Sequence, residues 1–263
     1  MKSLKIKKKF NKLKKTPKLF FQDMVFKYKT RLKKHSPIKH LGANEFTVVS
    51  AVYNVEKYLD DYFKSLIQQS LDFKKHIKLI MVDDGSTDSS ADIIKKWQKK
   101  YPDNILYVYK ENGGQASARN LGIEYIRTPW CTFMDPDDFL DVDYFYEVDK
   151  LISSQSQLEM ISCNFIFYFE DKNIYKDTHP QNYRFKEKLK VFDADDEFQF
   201  IQLSVNSAFV KKEVIDQYQL RFDTRVKPSF EDATFMLNYA LALHQNVGSR
   251  VAFLRDAKYF YRK

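Results

Sequence analysis

From residue 46 onward the chain alternates between short apolar segments and longer amphipathic ones, and this alternation restricts the fold more than any other feature. The apolar segments are rich in β-branched and aromatic residues, which predicts strands, and the amphipathic segments have the spacing of helices. Strand–helix alternation predicts a mostly parallel sheet with helices on both faces. The predicted strands are 46–53, 76–82, 105–109 and 130–134, and the predicted helices between them are 55–69, 87–100 and 115–126.

Acidic residues follow two of these predicted strands. Asp83 and Asp84 end the second strand, and Asp135, Asp137 and Asp138 follow the fourth. Ligands of open α/β sheets bind outside the carboxyl ends of the strands. The first pair could accept hydrogen bonds from a nucleobase or a ribose. The second cluster offers the oxygen ligands that Mg²⁺ and Mn²⁺ prefer, with a simple turn capped by Asp138 as the alternative.

A third acidic pair and a glycine turn complete the set of candidate site residues. Glu231 and Asp232 begin an amphipathic segment at 233–243, where the helix dipole alone would favour acids in the first turn. The glycine turn at 112–114 precedes small residues and Arg119, and it matches neither the Walker pattern nor the dinucleotide fingerprint. Small residues allow a backbone to approach a ligand closely. Arg119 could bind a phosphate or brace a carboxylate.

The formal net charge of +9 is unevenly distributed along the chain. Residues 1–40 hold 15 Lys and Arg and one acid, a net of +14, which leaves 29 basic and 34 acidic residues, a net of −5, in 41–263. An acidic body argues against a nucleic-acid partner. A basic segment that also contains Phe20, Phe21 and Met24 is typical of an element that binds a membrane surface or a partner. We therefore expect residues 1–40 to bind an anionic membrane surface or another domain or protein, with a merely solvated extension as the alternative.

Several classes of protein are excluded. Two cysteines, Cys131 and Cys163, cannot form a disulfide framework, which favours a reducing compartment. No apolar run reaches the length of a membrane span, and the basic N-terminus is not followed by the apolar stretch of a secretory signal. The five histidines have no metal-ligand spacing.

Five motifs occur in a fixed order from about residue 46 to residue 261. They are SAVYN at 50–54, VDDGSTD at 82–88, NGG at 112–114 with ARN at 118–120, DPDD at 135–138 and ED at 231–232. Together they resemble the motifs of the family 2 inverting glycosyltransferases with the GT-A fold, and the C-terminal half is most similar to transferases of bacterial wall teichoic acid and capsular polysaccharide. The resemblance implies a Rossmann-like α/β sheet flanked by helices, with a nucleotide-binding half at 41–140 and an acceptor-binding half at 141–263.

The resemblance also implies a reaction. A UDP-sugar would donate its sugar to a hydroxyl of a polysaccharide or glycolipid, with Mn²⁺ or Mg²⁺ held by Asp137 and Asp135. Asp232 would be the catalytic base, and Glu231 would lie beside it. Asp84 would bind the uracil with support from Asp83. The full set implied for nucleotide and donor binding is Ala51, Tyr53, Asp83, Asp84, Asn112, Gly113, Arg119, Asp135 and Ser207.

Two other functions deserve comparison. A non-catalytic GT-A module of a multi-domain capsule polymerase is possible, although intact Asp135, Asp137 and Asp232 argue against it. A nucleotidyltransferase would need a Gly-rich loop with Arg and Lys after the first strand, which 52–57 does not provide. The sequence ends where similar transferases continue with a basic loop, so we expect a truncated module or part of a larger polymerase. The expected location is cytoplasmic, at the inner face of the cytoplasmic membrane.

Overall fold

The computed structural model describes residues 39–179, 182–195, 203–226, 230–246 and 248–263. The predicted basic extension at 1–40 therefore lies outside the described residues, except for Lys39 and His40. His40 pairs with Leu71 in an isolated parallel bridge.

The N-terminal half is a four-stranded parallel sheet in the order β3-β2-β1-β4. The strands are β1 (Phe46–Val52), β2 (Ile77–Asp83), β3 (Ile105–Tyr109) and β4 (Trp130–Phe133), and the helices are α1 (Glu56–Ile67), α2 (Phe73–His76), α3 (Ser90–Lys100) and α4 (Gln115–Glu124). Every strand and helix predicted for this half is present, with boundaries within three residues of those expected.

The central strand β1 is apolar on both faces because helices cover both. Val48 and Val52 belong to the core that α1 covers, and Val49 belongs to the core on the other face, beneath α4. Gly122 of α4 allows this close packing, since a Cβ there would lie 2.3 Å from Cγ1 of Val49.

Beyond β4 the sheet becomes mixed. The strand β9 (Ala208–Lys211) lies antiparallel between β4 and β6 (Leu158–Phe169). The strand β10 (Arg250–Arg262) is parallel to β6, with a break in register between Leu254 and Lys258. The predicted α/β sheet is confirmed, and its parallel pairing is concentrated in the N-terminal half. The elements of the C-terminal half are β5 (Phe139–Leu140), α5 (Tyr144–Ser154), β6 (Leu158–Phe169), β7 (Ile174–Lys176), β8 (Leu189–Asp193), β9 (Ala208–Lys211), α6 (Lys212–Gln217), α7 (Glu231–Gln245) and β10 (Arg250–Arg262).

The end of β10 lies beside the acidic loop at 135–138. The two-residue strand β5 directly follows this loop and pairs antiparallel with β10, so that Leu140 is opposite Tyr259. This pairing brings the side chains of Tyr259 and Arg262 to the loop.

Candidate active site

A cleft of about 400 Å³ opens at the carboxyl ends of β1, β2 and β4. Another cavity, of about 570 Å³, lies between residues 218–225 and α7 and contains none of the candidate acids. The cleft therefore gathers most of the residues that the sequence analysis named for donor and metal binding. The candidates that line it are Ala51, Tyr53, Asp84, Asn112, Asp135 and Asp137, together with Val52, Val55, Gly114, Gln115 and Pro136.

The adjacent carboxylates of Asp83 and Asp84 have different partners. Asp83 is buried and accepts hydrogen bonds from the Ser86 N–H at 2.8 Å and from the Tyr107 hydroxyl at 2.8 Å. It therefore supports the turn after β2 and does not line the cleft. Asp84 lines the cleft and forms an ion pair with Lys110, whose Nζ lies 2.6 Å from Oδ1.

Asp84 also orders the glycine turn. The N–H groups of Gly113 and Gly114 donate to its two carboxylate oxygens at 3.0 and 2.8 Å. Gly113 itself is not among the cleft-lining residues, so its contribution is this backbone bond. Asn112 and Gly114 are thereby held at the wall of the cleft.

The loops after β1 and β2 are joined to each other. Asn54 has a left-handed backbone with φ of 51°, and its Oδ1 accepts the N–H groups of Thr87 at 2.8 Å and Asp88 at 3.3 Å. Asp88 in turn accepts the Glu56 N–H at 3.0 Å. This turn presents Tyr53, which is 51% exposed, at the edge of the cleft.

Asp135 is held by two side chains of α4 and one from the segment before β9. Its Oδ1 accepts from Arg119 Nη2 at 2.9 Å and from Gln115 Nε2 at 3.1 Å. Its Oδ2 accepts from Asn206 Nδ2 at 2.7 Å. The neighbouring Ser207 is fully buried with φ of 62°, and it is not among the cleft-lining residues.

Asp138 connects the acidic loop to β10. It accepts the Tyr259 hydroxyl at 2.6 Å and the Arg262 N–H at 2.8 Å, and Arg262 Nε donates to the carbonyl of Asp137 at 2.7 Å. Burial, followed by the charges of Asp135 and Asp137, raises the pKa of Asp138 well above its usual range. Burial and the charge of Asp135 also raise the pKa of Asp137.

The acidic loop fits a divalent cation. One carboxylate oxygen from each of Asp135, Asp137 and Asp138 lies within 4.8 Å of the others. Oxygen-only donors suit Mg²⁺ and Mn²⁺, and a cation would offset the repulsion among the three carboxylates. Asp138 is buried and does not line the cleft, whereas Asp135 and Asp137 do, so these two residues are the ones placed to hold a cation there.

Arg119 lies behind the cleft and connects Asp135 to the start of α7. The residue is 2% exposed, and its Nη1 donates to Asp232 and lies 3.6 Å from Oε1 of Glu231. Burial raises the pKa of Asp232 to about 6; Arg119 opposes this rise, and the charges of Asp135 and Glu231 add to it. Glu231 is buried, and among the described residues neither of its carboxylate oxygens has a hydrogen-bond partner.

Several residues that the sequence analysis did not name hold these acids in place, among them Lys110, Gln115, Tyr259 and Arg262. Lys110 and Gln115 flank the glycine turn, so their place beside that motif was the available signal. Tyr259 and Arg262 bond to Asp138 from 121 and 124 residues away, and no local pattern indicates that pairing.

The fold of the described residues is that of the GT-A glycosyltransferases. S. aureus TarS 1–349 matches with a TM-score of 0.70 and 21% identity, over 83% of this chain and 60% of that one. The same TarS fragment has been solved with UDP and with UDP-GlcNAc. The mannosyltransferase PcManGT of Pyrobaculum calidifontis, in complex with GDP-Man and Mn²⁺, matches with a TM-score of 0.57 and 17% identity, over 92% of this chain and 65% of that one.

The chain belongs to glycosyl transferase family 2, whose family model matches residues 47–218. It is 33% identical over 219 residues to the minor teichoic acid biosynthesis protein GgaB of Bacillus subtilis, covering 83% of this chain and 23% of GgaB. It is 30% identical over 220 residues to GgaA of the same organism, covering 83% of this chain and 47% of GgaA. The chain thus spans less than half the length of these relatives. None of the helices that the structure describes is long and apolar enough to cross a membrane.

Proposed function

We propose that this chain is the catalytic domain of a metal-dependent, inverting glycosyltransferase. It transfers a sugar from a UDP-sugar to a hydroxyl of a bacterial surface polysaccharide, of the capsular or teichoic type. The observation that carries the proposal is the cleft at the strand ends, which Asp84, Asp135 and Asp137 line, with Arg119 connecting Asp135 to Asp232. The teichoic acid relatives and the UDP complexes of TarS support the choice of substrate class.

In this proposal residues 41–140 bind the nucleotide. Asp84 accepts the imide N–H of uracil, because a carboxylate held by backbone N–H groups is fixed in place before the ligand arrives. Tyr53 and Asn112 form the adjoining walls. Asp83 acts indirectly, by supporting the turn that carries Asp84.

Asp137 and Asp135 hold Mn²⁺ or Mg²⁺ at the diphosphate. A bound divalent cation would neutralise charge on the nucleoside diphosphate as it leaves. The choice of these two residues follows from their position at the cleft, which Asp138 does not line.

Asp232 is the general base. A carboxylate with a pKa near 6 is a stronger proton acceptor than an ordinary aspartate and is still ionised at neutral pH. It takes the proton of the acceptor hydroxyl while that oxygen attacks the anomeric carbon from the face opposite the diphosphate. One displacement of this kind inverts the anomeric centre, and the acceptor approaches from the half at 141–263.

The basic extension at 1–40 locates the enzyme at an anionic surface in this proposal. Its net charge of +14 would be attracted by the cytoplasmic leaflet at about 1 kcal/mol per basic residue near the surface. Co-sedimentation of the full chain with anionic vesicles at low salt tests this, and the absence of binding would remove the membrane role.

A thermal-shift panel of UDP-sugars with Mn²⁺ tests the proposed reaction. Binding of the true donor should raise the unfolding midpoint, because a ligand of the folded state stabilises it. The response should be lost in Asp137→Asn and kept in the control Asp171→Asn, whose side chain is exposed and outside the cleft. Equal responses to UDP- and GDP-sugars, or none to either, would contradict the proposal.

A further inference from the structure

The position of Arg119 does not suit a phosphate ligand. Its side chain is 2% exposed, it is not among the residues that line the cleft, and its guanidinium carbon lies 5.3 Å from the centre of the Phe222 ring. Its two terminal nitrogens are bonded to Asp135 on the acidic loop and to Asp232 at the start of α7. A guanidinium can bond two carboxylates at once, whereas an ammonium is a point charge.

The surroundings of Arg119 carry excess negative charge. Asp135, Glu231 and Asp232 are ion-paired with this one cation. Glu231 is the least satisfied of them, since neither of its oxygens has a hydrogen-bond partner among the described residues. A buried carboxylate without hydrogen bonds is costly. At 3.6 Å from Arg119 Nη1, Oε1 of Glu231 is just beyond hydrogen-bond distance, so a small shift of the guanidinium would satisfy it.

A divalent cation on Asp135 would supply such a shift. Like charges repel, and the repulsion is only weakly screened around a guanidinium that is 2% exposed. A cation bound to Asp135 would therefore weaken the bond from Arg119 Nη2 to that carboxylate. It would also favour movement of the guanidinium toward α7, where Glu231 can accept a hydrogen bond from it.

We infer that Arg119 is a positioning residue that couples cation loading at Asp135 to the orientation of the base Asp232, with Glu231 as its second partner. The inference rests on the proposed function. A positioning role and a phosphate-binding role have different consequences. In the positioning role, the guanidinium of Arg119 contributes to the placement of the base and not to the binding of the donor.

Calorimetric titration of the full chain with UDP and Mn²⁺ separates the two roles. Arg119→Met and Arg119→Lys should keep the affinity for UDP with Mn²⁺ within about threefold, whereas loss of a charge-assisted bond to a phosphate would weaken it about 10- to 100-fold. In both variants the rate of UDP release, measured with the donor that the thermal-shift panel identifies, should fall about 100-fold, which is the usual effect of a misplaced catalytic group. A tenfold loss of UDP affinity in Arg119→Lys would overturn the inference, and this variant keeps the test valid if Arg119→Met does not fold.

Glu231→Gln tests the second partner with a measurement made without metal. It should raise the metal-free unfolding midpoint, because an unsatisfied buried carboxylate is replaced by a neutral amide. It should also weaken Mn²⁺ binding in the presence of UDP about tenfold, since the displaced guanidinium loses its charged acceptor. A lower metal-free midpoint together with unchanged Mn²⁺ affinity would overturn the role of Glu231.

The two proposals fail in different ways. An unsubstituted chain that binds no UDP in the presence of Mn²⁺ refutes the proposed function, and this inference with it. A chain that binds UDP, with Arg119 variants that lose UDP affinity, refutes the inference alone.

Discussion

Removal of the bond from the Tyr259 hydroxyl to Asp138 tests directly how β10 supports the acidic loop. The hydroxyl donates to Asp138 Oδ2 at 2.6 Å and accepts the Asp135 N–H at 3.3 Å, and both Tyr259 and Asp138 are almost fully buried. Tyr259→Phe removes both bonds and changes the shape of the core very little.

The expected loss of stability follows from these two bonds. A charge-assisted bond to a buried carboxylate contributes about 1.5 to 3 kcal/mol, and a long bond to an N–H group adds about 0.5 kcal/mol. The free energy of unfolding should therefore fall by about 2 to 3.5 kcal/mol in Tyr259→Phe at a pH where Asp138 is ionised.

The loss should depend on pH in a defined direction. Burial, Asp135 and Asp137 raise the pKa of Asp138, and the Tyr259 hydroxyl lowers it. Without the hydroxyl the pKa of Asp138 rises further. The variant therefore loses most stability at pH values where Asp138 is ionised. As pH falls through this raised pKa, Asp138 becomes neutral and needs the bond less. The difference between variant and parent should thus be larger at about pH 8 than at about pH 5.

Urea unfolding followed by tryptophan fluorescence at the two pH values measures both effects. Tyr144→Phe is the matched control, because Tyr144 is equally buried and its hydroxyl has no oxygen or nitrogen partner within the described residues. The control should lose little or no stability. The reasoning is refuted if Tyr259→Phe loses no more than Tyr144→Phe, or if its loss grows as pH falls.

Three further predictions concern the base, the cation and the core. Because burial raises the pKa of Asp232 to about 6, UDP release should rise with pH through about 6 and level off above it, where the carboxylate can accept a proton. Asp232→Asn should slow release about 10²- to 10⁴-fold, and a rate that falls on raising pH through 6 would contradict the assignment. Asp137→Asn should abolish the rise in unfolding midpoint that Mn²⁺ causes. It should also raise the midpoint measured without metal, because an amide is less costly to bury than a carboxylate. The same two changes of midpoint in Asp171→Asn would count against a cation site. Gly122→Ala should lower the free energy of unfolding by about 1 to 3 kcal/mol although alanine favours helix, because its Cβ would lie 2.3 Å from Cγ1 of Val49; a gain of stability in urea would contradict the packing described.

The N-terminal half of the fold could be predicted, apart from the four-residue helix α2, because its other elements each carry their own periodic signal. The C-terminal half could be predicted only in part. The helix α7 contains the amphipathic segment expected at 233–243. The helix α5 was not predicted, although Tyr144, Phe145, Val148 and Leu151 give it a buried face of helical spacing. The signal for α5 was present, whereas the break in β10 depends on contacts with β6 that no local pattern specifies.

The candidate site shows a similar division. Acids at strand ends could be located from the sequence, and the structure brings Asp84, Asp135 and Asp137 into one cleft. The sequence could not say which member of an acidic pair lines a cleft and which supports the fold. Asp83 and Asp138 are distinguished by bonds to tyrosines 24 and 121 residues away, and such distant partners are fixed only by tertiary packing.

The bonds from Asn54 to the turn after β2 have a thermodynamic consequence. They join two loops of the cleft through contacts within the protein itself, so the ordering of this wall is completed when the protein folds. Fixing a mobile side chain during association costs about 0.5 to 1.5 kcal/mol, and a wall that is already rigid avoids that entropy loss for each residue it contains. A nucleotide would then meet a preorganised surface, and association at this wall would be limited by diffusion and orientation instead of by loop rearrangement.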